Sequence, residues 1–80
     1  MSKRVKQLQA IRANPKNVRF ETIQNILLSY GFVETSPRGG SSHYTYKNGI
    51  YRVTVPKERT VNPIYIKQAI KIIDALEAKS

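Results

Sequence analysis

The chain has 80 residues, 40% of them apolar, with fourteen Lys and Arg against five Asp and Glu, a formal charge of +9 and no cysteine. That length holds one domain with one modest core and excludes a cofactor domain joined to a substrate domain. The lack of thiols excludes disulfide staples and thiolate metal sites, no apolar run is long enough for a membrane helix, and the basic N-terminus lacks a signal peptide's apolar stretch, so a cytoplasmic protein is expected.

Residues 3–13 suit a short helix, with Val5, Leu8 and Ile11 at three-residue spacing and Asn14-Pro15 to stop it. Ile23, Ile26, Leu27 and Tyr30 then follow the i, i+3, i+4, i+7 pattern of a one-faced helix. Its start near Phe20 has no strong N-cap, and Gly31 stands just past its end, where a left-handed residue is wanted. From Phe32 the period changes to two, giving strands over 32–36, 41–47 and 50–55. Asn48-Gly49 is the expected hairpin turn and Pro56 ends the last strand. Asn62-Pro63 opens a closing helix that puts Ile66, Ala69, Ile70, Ile73 and Leu76 on one face. The expected fold is α+β in the order ααβββα, a three-stranded antiparallel sheet packed on one face by helices. Residues 1–16 form a basic helical extension and 17–78 the core of a single domain.

The charge points to a polyanion, nucleic acid first. Residues 1–19 carry six basic side chains and no acid, and residues 38–71 carry seven against Glu58 alone. A two-residue Asn48-Gly49 loop pairs Lys47 with Ile50 and His43 with Thr54. Alternation then puts Tyr44, Tyr46, Tyr51, Val53 and Val55 on the core face, and Ser41, His43, Thr45, Lys47, Arg52 and Thr54 on the open one. In that register Arg52 stands diagonally from His43, about 7–8 Å away between Cβ atoms.

His43 is the only histidine. Histidine takes and gives protons near neutrality, which RNA cleavage requires at the attacking 2′-hydroxyl or the departing 5′-oxygen. Arg52, Lys47 and backbone N–H groups are candidates to stabilise charge gathering on the phosphate. Arg38-Gly39-Gly40-Ser41-Ser42 leads straight into His43, offering close backbone approach and hydroxyl donors. The candidate RNA-binding set is therefore Arg38, Gly40, Ser41, Ser42, Thr45, Lys47, Arg52 and Lys57, with His43 as the catalytic candidate. The scattered acids Glu21, Glu34, Glu58, Asp74 and Glu77 do not suggest a carboxylate-bound metal pair.

Four segments in order, Asn17-Val18-Arg19-Phe20, Tyr30-Gly31-Phe32, Gly40-Ser41-Ser42-His43-Tyr44 and Val53-Thr54-Val55-Pro56, with a closing helix from Asn62, resemble the HicA family of toxin–antitoxin ribonucleases. The likeness spans about residues 17 to 76. It implies a fold like the double-stranded-RNA-binding domain and metal-independent cleavage of mRNA that halts growth. It also implies a HicB-type antitoxin partner in a hetero-oligomeric complex, with the family's catalytic histidine falling on His43. Two departures stand out. Ser42-His43 replaces the paired histidines of many members, and Lys57-Glu58-Arg59 stands where many carry a further histidine. A second proton carrier must then be water, a hydroxyl, a basic side chain or a group from another subunit. Two other readings compete: a non-catalytic RNA-binding module, and an adaptor whose basic face docks an acidic protein.

Overall fold

The computed structural model describes residues 3–36 and 42–78. Helix α1, Lys3–Ala13, buries Leu8 and Ile11 in the same core as the later elements. It ends as expected at Asn14, whose side-chain oxygen accepts the Lys16 N–H at 3.2 Å. Asn17 then takes a left-handed conformation with φ 60°, which asparagine tolerates better than most side chains.

Strand β1, Val18–Arg19, leads directly into helix α2, Phe20–Ser29. Arg19 is the extended N-cap of α2 and makes no side-chain capping bond. The helix entry is instead held by pairing of β1 with β5, Thr60–Val61, with Val18 and Val61 both buried. This two-residue ladder was not foreseen, because it is too short to leave a periodic signal.

The end of α2 is closed by two backbone bonds. The Phe32 N–H donates to the Leu27 carbonyl and the Gly31 N–H to that of Leu28, each at 3.1 Å. That is the Schellman pattern, and it needs Gly31 at φ +88°. A Cβ placed there would lie 3.2 Å from the Asn48 amide nitrogen. Gly31→Ala is expected to lower the unfolding free energy by about 1–2 kcal/mol, the cost of a left-handed non-glycine residue. Urea denaturation with an unchanged slope checks this, and an unaltered midpoint would contradict it.

Strands β2 (Val33–Thr35), β3 (His43–Asn48) and β4 (Tyr51–Pro56) form an antiparallel sheet in the order β2-β3-β4. The hairpin register differs from expectation. Asn48 stays in the ladder opposite Tyr51, and Gly49-Ile50 makes the loop. Asn48 is retained because its side-chain amide donates to the Tyr30 carbonyl at 3.0 Å, tying β3 to the end of α2. Only the first loop residue, Gly49, has positive φ (62°), the type II′ requirement, so β-branched Ile50 is not forced into a left-handed conformation. Each β3 residue consequently faces a partner two positions further along β4. A shift of two preserves side-chain parity, so the faces remain as expected.

Helix α3, Pro63–Ala78, starts where Asn62 accepts the Ile64 N–H on its side chain, at 3.0 Å. It buries Ile66, Ala69, Ile70 and Ile73. Tyr46, Val53 and Val55 of the sheet are buried in the same core as these residues and as Ile23, Ile26 and Leu27 of α2. The fold is thus α+β, a three-stranded antiparallel sheet with helices on one face. Among the described residues no helix is long and apolar enough to cross a membrane.

Arg12 of α1 grips Asp74 of α3 with two hydrogen bonds, 2.8 and 2.6 Å. This bond holds the Asp74 carboxyl below its ordinary range. A depressed folded-state pKa gives stability above the unfolded value of about 3.9 and loses it as pH falls further. Both side chains are about half exposed (47% and 48%), so the effect is small. Asp74→Asn should cost at most about 1 kcal/mol in thermal unfolding at low salt, and less as salt screens the pair.

Candidate nucleic-acid interface

The open face of the sheet is organised in rows across the three strands. Nearest the hairpin turn stand Val33, Lys47 and Arg52, paired edge to edge. The next row is Thr35, Thr45 and Thr54. At the far end His43 faces Pro56. His43, Lys47, Arg52, Thr35 and Val33 are exposed, Thr45 and Thr54 half-buried. The closed face carries Tyr44, Tyr46, Val53 and Val55 against the helices.

The new register changes the surroundings of His43. Arg52 stands opposite Lys47, not diagonal to His43. Four strand positions separate the Arg52 row from the His43 row, roughly 13 Å at 3.3 Å per residue. Thr54 takes the diagonal place beside His43, about 7–8 Å away. On the open face His43 has Pro56 opposite it and the hydroxyls of Thr45 and Thr54 in the next row, and Lys47 and Arg52 form a separate row near the turn.

Lys57 leaves the candidate RNA-binding set for a physical reason. Its N–H donates to the Ser42 carbonyl at 2.7 Å, extending the β3–β4 ladder by one pair. Parity then turns its side chain to the helix side of the sheet. Its Nζ lies 5.8 Å from the centre of the Tyr44 ring, which Phe20 meets edge-on at 5.3 Å. There it lines a groove of about 290 Å³ with Phe20, Glu21, Gln24, Glu34, Ser36 and Tyr44. Ser42 is exposed but, as the partner of Lys57, shares its parity and leaves the His43 face as well, while Arg38, Gly40 and Ser41 lie outside the described residues. Thr35 and Val33 join the open face without having been singled out. The alternation over 32–36 carried that signal, but not which strand β2 pairs with.

Among the described residues no three His, Asp or Glu side chains come together as a metal-binding group. The face offers an imidazole, a row of hydroxyls and two cations. Those groups can move a proton, donate to phosphate oxygens and neutralise charge. Comparison of the chain with protein-family models, with curated proteins and with solved structures found no match.

Proposed function

We propose that this protein is the toxin of a HicA-type toxin–antitoxin pair, a metal-independent endoribonuclease that cleaves mRNA with His43 as general acid or base. The observation that carries the reading is the position of His43: exposed, at the end of the central strand, on the open and basic face of the sheet. The Gly-Ser-Ser-His order leading into it supports the same role through the family resemblance.

In the reaction the 2′-oxygen bonds to phosphorus while the bond from phosphorus to the 5′-oxygen breaks. One proton leaves the 2′-hydroxyl and one reaches the 5′-oxygen, giving a 2′,3′-cyclic phosphate and a 5′-hydroxyl end. In-line displacement sets these oxygens on opposite sides of phosphorus. A lone imidazole therefore serves one of them, and water or a hydroxyl serves the other. A HicB-type antitoxin would neutralise the toxin by covering the His43 face.

The test is cleavage of single-stranded RNA in excess EDTA, beside His43→Ala. Wild type should cut, and the variant should bind without cutting. A second reading, a non-catalytic RNA-binding module, draws support from the separation of Lys47 and Arg52 from His43. Equal behaviour of the two proteins, with tight binding and no cleavage, would establish it instead.

A further inference from the structure

We infer that Lys47 and Arg52 form a phosphate-binding station of their own, and that single-stranded RNA runs along β3 from this station to His43, its backbone on the threonine row. The inference rests on RNA being the partner, as proposed above, but not on His43 being catalytic.

Three observations carry it. Lys47 and Arg52 are directly opposite across two strands, a placement that opposes folding because like charges there repel. Among the described residues no acid lies within ion-pair distance of Lys47 or Arg52, and an external anion would relieve the repulsion. The second observation is spacing. The roughly 13 Å between this row and His43 exceeds what one phosphate can bridge. A stacked strand places a charge every ~3.4 Å of rise, so the span holds about four nucleotides stacked and fewer if extended. Between the two stations lie only Thr35, Thr45 and Thr54, short hydroxyl side chains that can donate to phosphate or sugar oxygens without blocking the path.

The third observation concerns the bases. The aromatic rings of β3 and β4, Tyr44, Tyr46 and Tyr51, pack on or against the core. The open face therefore has no described aromatic on which a base could stack. Binding through backbone contacts alone is sequence-tolerant and strongly salt-dependent. Shape recognition of an RNA duplex spans about 16 base pairs across two minor grooves, far more than a track of roughly 13 Å with one pair of cations can cover. The occupant is accordingly a single strand, held by its phosphates.

The experiment measures binding of a short labelled oligouridylate to full-length protein across a salt series, in the His43→Ala background so that nothing is cut. Lys47→Gln with Arg52→Gln should flatten the plot of log affinity against log salt by about 1.4, at about 0.7 per lost contact on a single strand. Each single change should give about half of that. Lys67→Gln, on the exposed side of α3, should leave the slope unaltered. The double variant should melt no lower than its parent, since its like-charge pair is gone. An unchanged slope overturns the inference, as does tighter binding of duplex than of single strand. Wild-type cleavage is assayed separately. Absent cleavage with a flattened slope defeats only the nuclease reading, and cleavage with an unchanged slope defeats only this one.

Discussion

His43→Ala is expected to slow RNA cleavage about 10²–10⁴-fold, the usual contribution of a positioned acid or base, while RNA affinity and melting temperature stay close to wild type. The stability half of this result follows from the fold. His43 is an exposed end residue of β3 on the face away from the core, and surface changes of this kind usually stay within about 0.5 kcal/mol. The affinity half follows from the spacing, since Lys47 and Arg52 are two rows away and keep their contacts. A fall in kcat with an unchanged binding constant thus separates proton transfer from electrostatic attraction. Because the chain has one histidine, its imidazole NMR signals need no assignment. They should move when a non-cleavable deoxyoligonucleotide is added, in wild type and in the Lys47→Gln and Arg52→Gln variants at saturation. Cleavage surviving in His43→Ala would remove this residue from the chemistry.

What could be read from the sequence depended on parity more than on register. The alternation of Tyr44, Tyr46, Val53 and Val55 against His43, Thr45, Arg52 and Thr54 placed every one of these side chains on its observed face, and a hairpin slipped by two positions left that assignment intact. Register itself turned on a tertiary contact, the Asn48 amide on the Tyr30 carbonyl. Local turn preference favours Asn48-Gly49 as the loop, and it cannot see a helix end eighteen residues upstream. The error mattered because it set Arg52 beside His43. Lys57 belongs to the expected RNA-binding set, yet counting onward from Val53 and Val55 puts it on the helix side, where it meets Tyr44. The pairing of β1 with β5 and of β2 with β3 is non-local, so the threonine row existed in the sequence only as three unconnected residues. The helix ends were more legible. Gly31 and Asn62-Pro63 act through their own backbones and nearest neighbours, and both behave as local rules require.

Tyr46→Phe is the largest stability change expected from a single atom. Tyr46 is fully buried in the core, yet its hydroxyl donates to Glu34 Oε1 at 2.6 Å, and Gln24 donates to the same oxygen at 2.6 Å. The three residues join α2, β2 and β3, so this half-buried network locks the edge strand onto the helix. Removing the hydroxyl takes a donor from the Glu34 carboxyl and adds no solvent access in return. The expected cost is about 1.5–3 kcal/mol, the range for a hydrogen bond to a charged group. The pH dependence gives a second, independent signature. Burial, then the bond to Glu34 and its charge, push the Tyr46 hydroxyl well above the ordinary tyrosine range. The unfolded chain releases this proton at about pH 10, and the native state holds it longer. Above that pH the unfolded state therefore binds fewer protons, and stability falls as pH rises. Urea unfolding from neutral to alkaline pH should show this decline in wild type, and Tyr46→Phe should lack the part due to this hydroxyl. The two proteins then converge in stability as pH rises, although they differ most at neutrality. Parallel curves would mean that the Tyr46 hydroxyl titrates alike in both states and that the network holds the sheet by shape rather than by the proton between Tyr46 and Glu34.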